Sequence, residues 1–357
     1  MTQSTARRRR TAMLLAAAAS LAVGLVASPA NAATTWESLP VPATYVNMSL
    51  LPFDSQNAYA TTMSTCGEMC GPTAPKLWQR SGSTWKALNP PSDAALETLA
   101  GTGPNDLWAI GRKDIGDRVW HVHRYDGTKW SSDLAPDTKR VEILDAEAVS
   151  RTSLWGAGNT RNSRFNPTVT HWDGQGWNTK TYTDIPGSFE AVDVRSENDI
   201  WAVGYRSMSD EVADYQPLAM HYDGTGWSEV RLPETPGKMN ILRKVLNNGP
   251  NDVWVASDDH VWHWDGATWT SRDLPTSGLV TSFANYGGQI YAGVQVGTVG
   301  DPKLLRWSGT SWVADTSLTD GTRVTQLATT PDGALYALSQ DVWSENYLSR
   351  LAPPTAG

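Results

Sequence analysis

Tryptophan recurs along this chain at Trp36, Trp85, Trp130, Trp177, Trp227, Trp269 and Trp312, at intervals of 42 to 50 residues. Each of the six from Trp85 onward closes a short polar turn, most plainly in Tyr125-Asp126-Gly127-Thr128-Lys129-Trp130, Trp172-Asp173-Gly174-Gln175-Gly176-Trp177, Tyr222-Asp223-Gly224-Thr225-Gly226-Trp227 and Trp264-Asp265-Gly266-Ala267-Thr268-Trp269. A second aromatic series interleaves with the first at Tyr59, Trp108, Trp155, Trp201, Trp254, Tyr291 and Tyr336. Its best copies read Asn105-Asp106-Leu107-Trp108-Ala109-Ile110-Gly111, Asn198-Asp199-Ile200-Trp201-Ala202-Val203-Gly204 and Asn251-Asp252-Val253-Trp254-Val255-Ala256. Self-similarity at this period means that one supersecondary unit is used over and over, so no unit can bury its apolar face alone.

Each unit reads as four strands. An inner strand such as 95–100 runs into a tight turn at Pro104-Asn105-Asp106, and a second strand, 107–111, follows. A loop of varying length leads to a third strand that ends at the Asp-Gly turn, and a fourth strand begins at the closing tryptophan. Asp-Gly between aromatic strands is a strong hairpin signal, because these residues tolerate positive φ. The two aromatic series are out of phase by one: Trp36 precedes the first unit, and the unit around Tyr336 has no closing tryptophan of its own. The expected architecture is therefore all-β, a seven-bladed β-propeller of four-stranded antiparallel blades. The N-terminal segment 34–41 would close the ring by adding the outer strand of the last blade, beside 347–351.

With these motifs in place the chain resembles the secreted, tryptophan-rich β-propellers of actinobacteria, built from N-D-x-W-A-x-G and H-[WY]-D-G-x-x-W repeats. The likeness covers residues 34–353. Kelch repeats match in part, lacking their Gly-Gly doublet in most units, and Pro331-Asp332-Gly333-Ala334-Leu335-Tyr336 resembles a strand of tachylectin-type sugar binders. Such a resemblance speaks to fold; propellers carry many functions.

The N-terminus has its own grammar. Arg7 to Arg10 form a basic stretch, residues 11–26 are apolar and rich in Ala and Leu, and Ala30-Asn31-Ala32 has the small-x-small form of a signal peptidase site. The expectation is a signal peptide over 1–32, a single propeller domain over 33–357, and a secreted, extracellular protein without membrane insertion. The net charge of -8 becomes -12 once four arginines and no acids are removed. That balance speaks against nucleic acid as a partner. In an oxidising compartment Cys66 and Cys70 are expected to pair across their short loop. No metal or cofactor is expected, since His171, His221 and His263 occupy one repeated position in separate blades and none has the spacing of a zinc site.

Fourteen of the 18 tryptophans fall on repeat positions, where packing between blades accounts for them. Of the remaining four, Trp120 and Trp343 are the better ligand candidates. In a four-stranded blade the two short repeated turns project on one face. The variable loops project on the other, and function resides on loops held by a rigid scaffold. The expected binding residues are accordingly Arg118, Trp120, Arg164, Phe165, Tyr205, Arg206, Tyr215, Trp343 and Tyr347. Along the inner strands Glu97, Asp145, Glu190, Arg243, Lys244 and Gln326 break an apolar pattern and are expected to line a central channel. The favoured reading is a monomeric, non-enzymatic recognition module for a glycan or a secreted or cell-surface protein, with a glycan preferred and an interaction partner or inhibitor of a secreted protein second. A carbohydrate-active hydrolase or lyase using Glu97, Asp145 or Glu190 is the alternative from another class.

Overall fold

Alternating apolar and polar residues, punctuated by turns, give strands and nothing else: the described residues hold 28 β-strands and no helix. The structure is a computed structural model and describes residues 35–44, 46–64, 75–91, 96–112, 120–132, 135–136, 141–161, 164–209, 214–233, 240–258, 260–276, 278–296 and 300–354. The strands form seven antiparallel sheets of four. In chain order the blades are 46–88, 98–131, 141–181, 187–229, 244–271, 278–314 and 323–351. The inner strands of consecutive blades are neighbours all the way round, the last returning to the first, so the seven sheets close a ring about a central channel. Blade 7 borrows its outer strand from the N-terminal side of the chain. Glu37–Leu39 pairs with Asn346–Leu351, Glu37 opposite Arg350 and Leu39 opposite Leu348, as the phase shift of the two aromatic series predicts.

Three further contacts hold that strand. The Arg350 guanidinium binds the Glu37 carboxylate at 2.5 Å, Ser38 donates to Asp320 at 2.6 Å, and the Trp85 indole of blade 1 donates to the Pro40 carbonyl at 2.8 Å. The strand thus ties blade 7 to the blade that follows it.

Packing between blades follows one rule. In blades 3, 4 and 5 the second-strand tryptophan inserts between the third-strand aromatic and the closing tryptophan of the next blade. Trp201 lies 6.3 Å from Trp264 and 5.7 Å from Trp269. Trp254 lies 5.0 Å from Trp307 and 5.2 Å from Trp312. Trp155 does the same with Tyr222 and Trp227. Most of these rings meet tilted or edge to face, the arrangement that the ring quadrupole favours, worth about 0.5–1.5 kcal/mol per pair beyond burial.

The repeated histidines act chiefly within their own blade, and His171 also lies 3.8 Å from Glu197 of the next. His171, His221 and His263 stand opposite Trp155, Trp201 and Trp254 on the neighbouring strand and stack on them at 4.0, 4.8 and 4.3 Å. The ring nitrogen then reaches the first residue of the second strand: Asp199 at 2.9 Å from His221, and Asp252 at 2.8 Å from His263. Arg124 fills the same place in blade 2, over Trp108 and 2.8 Å from Asp106. The Asp of each Asn-Asp pair is therefore a strand residue that anchors this stack, and not only a turn former. Burial pushes Asp199 up, but hydrogen bonds from His221, Asn247 and Arg195 outweigh it and hold the carboxyl below its ordinary range.

The Asp-Gly turns are four-residue loops rather than two-residue hairpins, since Tyr125 pairs with Trp130 and Tyr222 with Trp227. The aspartate side chain closes the loop by accepting the amides two and three residues on, as Asp223 does from Thr225 and Gly226. Gly224 sits at φ +88, and a Cβ there would fall 2.6 Å from Asn198 Oδ1 of the adjacent turn. The two repeated turns of a blade are thus packed on each other, which explains why Asn and Gly recur together.

Inner strands are stitched to one another by side chains. Asp145 accepts the Val192 amide at 2.9 Å and Glu147 accepts the Val194 amide at 2.7 Å. Ser282 accepts the Leu327 amide at 2.6 Å. Gln326 holds Leu50 by both backbone groups, at 2.9 and 2.7 Å. A register shift precedes Asp145, Ser282 and Gln326 alike, turning each side chain toward the next blade.

Candidate functional site: the loop face

The ring has two unlike faces. On the turn face the connections between first and second strands and between third and fourth strands satisfy themselves, as the Asp-Gly loops show. The opposite face carries the loops between second and third strands and the links between blades. Among the described residues the exposed large apolar side chains are Met63, Phe165, Met208, Leu279, Val342 and Trp343. All six lie at strand ends or loops of the loop face: Met63 and Met208 at or just beyond the ends of second strands, Phe165 at the start of a third, Leu279 at the start of an inner strand, and Val342 and Trp343 between Leu335–Gln340 and Asn346–Leu351. The turn face shows none of this kind among the described residues.

Trp343 is the most exposed, at 79%. A tight turn holds it out: Asp341 Oδ1 accepts the amides of Trp343 and Glu345, both at 2.8 Å, and Ser344 takes φ +67. That left-handed conformation costs energy for a serine, so the turn is fixed by its surroundings and not by local preference. Tyr347 is half-buried nearby and donates to Glu345 at 3.0 Å. In blade 3 Phe165 is partly covered by the Arg161 guanidinium at 5.0 Å, and Arg164 reaches the Thr183 carbonyl at 3.5 Å.

Blades 4 and 5 bring several expected residues together. Tyr205 and Tyr215 face each other across the strand pair at 4.8 Å. Burial pushes the Tyr205 hydroxyl up, helped by the charge of Glu190. Arg243 binds Asp258 at 2.7 Å and lies 3.9 Å from Glu190. Burial raises Glu190 and the Arg243 cation opposes that rise. Arg206 is spent on an ion pair with Glu229 at 2.6 Å. The result is an aromatic pair beside a charged network at the loop-side rim of the channel.

Trp120 is a correction. It is 2% exposed and packs in the core with Ile110, Val122 and Val141. It opens the strand Trp120–Tyr125, where alternation turns Trp120 and Val122 inward, so it serves packing and not a ligand. Gln326 is likewise taken up by the clasp on Leu50, and Asp145 by two backbone amides, Val192 and Ala146. Glu97 is exposed near the loop-side rim. Burial raises the Asp145 carboxyl above its ordinary range, and the half-buried Lys244 opposes that rise. Arg118, Cys66 and Cys70 lie outside the described residues.

Sequence reasoning missed two lumen carboxylates, Glu147 and Asp193. The signal was present: Glu147 is two residues from Asp145, hence on the same strand face. Burial within the ring pushes Asp193 up to about 7, with Asp145 and Asp199 adding like charge against a hydrogen bond from Asn247. Glu147 is raised well above the usual range by burial and by Asp193. Its side chain is nonetheless accessible to solvent, which places it in a water-reached lumen walled on all sides. On the inner strands and their leading residues the carboxylates Glu97, Glu142, Asp145, Glu147, Glu190 and Asp193 all belong to blades 2 to 4. The cations Arg243, Lys244 and Arg323 sit at the loop-side starts of blades 5 and 7, and among the described residues only Arg195, bound to Asp199 at 2.6 Å, falls on the acidic side.

No protein-family model matches this chain, and no curated protein sequence is significantly similar to it. Solved structures are similar in fold. A structure of YCF48 bound to D1 peptide superposes with a TM-score of 0.58 at 14% identity, covering 90% of this chain and 97% of that one. The WD40 β-propeller domain of Doa1 gives 0.56 at 11%, covering 90% and 97%. The extracellular domain of the hybrid two-component system BT4673 from B. thetaiotaomicron gives 0.58 at 12%, and the match spans 88% of this chain but 39% of that longer one. At these identities the likeness is one of fold: the chain is a seven-bladed β-propeller. No helix among the described residues is long and apolar enough to cross a membrane.

Proposed function

We propose that this chain is an exported, monomeric recognition propeller that binds a protein partner through its loop face. The observation that carries the reading is the placement of Met63, Phe165, Met208, Leu279, Val342 and Trp343 on that one face. Apolar side chains gathered on one side of a soluble fold mark an interaction surface, and methionine, leucine and valine suit a protein surface better than a sugar ring. The solved propeller bound to D1 peptide supports the same use of the fold. Export rests on the basic stretch, apolar run and cleavage pattern of residues 1–32.

A glycan is the second reading, favoured by the Tyr205–Tyr215 pair beside Arg243, Asp258 and Glu190. Aromatic faces next to bidentate polar groups suit a sugar.

The test immobilises the 33–357 chain and presents it with proteins of its own culture supernatant and with an array of glycans. A stoichiometric protein captured by the native chain and by Asp126→Asn on the turn face, but lost with Phe165→Ala plus Met208→Ala, is the expected result. Binding competed away by a free sugar would move the function to the second reading. Equal loss from both faces would overturn the loop-face assignment.

A further inference from the structure

The turn-side mouth of the channel holds a recess of about 440 Å³, within the range of roughly 300–1,000 Å³ common for small-ligand sites. The last residues of the inner strands of blades 1, 2, 3 and 7 form it. Leu51, Phe53, Leu99, Val149 and Pro331 give it an apolar wall, and Thr102 and Thr329 share the lining. One ionisable side chain lines it, Glu147.

Glu147 is half committed. One carboxylate oxygen accepts the Val194 amide at 2.7 Å. The other has no hydrogen-bond partner among the described residues, although the side chain reaches solvent in the lumen. Asp193 and Asp145, both of like sign, act on it, and among the described residues no cation is paired with it. Lys244 acts on Asp145, and Arg195 is bound to Asp199. The recess therefore joins an apolar wall to a carboxylate with no counter-charge among the described residues.

We propose that this recess is a binding site for an ammonium group carried on a short apolar stem, the chemistry shared by a lysine side chain and a free alkylamine. The stem lies against the leucine and phenylalanine wall, and the ammonium reaches the open oxygen of Glu147. The site faces away from the loop face, so it is separate from the partner surface proposed above and stands or falls independently of it.

The probes are n-hexylammonium, n-hexanol, hexanoate and a Gly-Gly-Lys-Gly-Gly peptide, titrated calorimetrically into the 33–357 chain at about pH 8, where an alkylammonium keeps its charge. Saturable binding of hexylammonium, at least tenfold tighter than hexanol and with no binding of hexanoate, is expected. Glu147→Gln keeps an acceptor for the Val194 amide and removes the charge; it should weaken hexylammonium at least tenfold. Ala148→Phe fills the recess and leaves the charge, and should abolish binding in a protein whose circular dichroism is unchanged; it answers the question if Glu147→Gln does not fold. Tighter binding of the peptide points to a protein lysine as the source, and tighter binding of the amine to a free ligand; either supports the site. Hexanol binding as tightly as hexylammonium, binding unaffected by either variant, or no saturable binding overturns it.

Discussion

The turn face and the loop face are made from the same seven blades and obey opposite rules. On the turn face the repeated polar groups find their partners locally: Asp223 closes its own loop, Gly224 makes room for Asn198, and Asp199 holds His221 against Trp201. The pattern repeats because the packing problem repeats. On the loop face the connections differ from blade to blade, and exposed apolar side chains collect there. One face is spent on stability, and the other carries the exposed apolar side chains on which the proposed recognition rests. Substitutions on the turn side should therefore register as folding defects, and those on the loop side as binding defects.

The largest effect is expected at the blade interface above the turns. Trp201 is 1% exposed and meets Trp264, Trp269 and His221. Trp201→Ala should cost about 3–5 kcal/mol, measured by denaturant unfolding, and should remove partner binding only in proportion to the unfolded fraction. A loss below about 1 kcal/mol would mean that the repeated tryptophan does not govern blade packing.

Gly224→Ala comes next. The new methyl meets a backbone at φ +88 and the Asn198 side chain at 2.6 Å, so about 1–3 kcal/mol of strain is expected. Pairing it with Asn198→Ala should recover part of the loss, since the contacts with Oδ1 and Cγ at 2.6 and 2.8 Å are then gone and only the Cβ at 2.9 Å remains. Gly288→Ala, also at positive φ but with no atom within 4 Å of its Cβ, should be milder and separates backbone strain from collision.

A smaller, pH-dependent effect belongs to the lumen. Asp193 is pushed up to about 7 by burial and by Asp145 and Asp199. The native chain then holds a proton between about pH 4 and 7 that the unfolded chain has released, so stability falls as pH rises through that window. Melting temperature should be higher at pH 5 than at pH 8. Asp193→Asn, whose amide oxygen can still accept the Asn247 amide, should raise stability at pH 8 and flatten the profile. An unchanged slope would place the dependence on Glu147 instead, which is raised by the same causes.

How far the sequence could be read follows from the same contrast. Blade number, strand count and the closing of blade 7 by Glu37–Leu39 were legible because each repeats a motif or marks a break in its phase. The partner of His221 was not, because Asp199 lies 22 residues away and is met only when two strands align. Trp120 looked like a loop residue because it stands at a strand end, where one residue of register decides inside from outside. Tyr205 and Tyr215 were legible as candidates, but their meeting with Arg243 depends on which blades adjoin. Glu147 and Asp193 face the channel because of ring closure, and closure is a property of no single unit.

The least costly substitution is the most telling about recognition. Trp343 is already 79% exposed, and its turn is held by main-chain amides to Asp341, which do not need the indole. Trp343→Ala should change stability by no more than about 0.5 kcal/mol, as surface substitutions away from caps and cores do. An exposed tryptophan kept outward by a strained Ser344 is, however, the kind of anchor whose truncation costs about 2 kcal/mol or more of binding, roughly thirtyfold in affinity. Stability from chemical denaturation and affinity for the captured partner should therefore separate cleanly in this variant, and move together in Trp201→Ala. A Trp343→Ala chain that binds as the native one does would place the contact elsewhere on the loop face, at Phe165 and Met208 of blades 3 and 4; one that unfolds would show that the loop face, too, is built for stability.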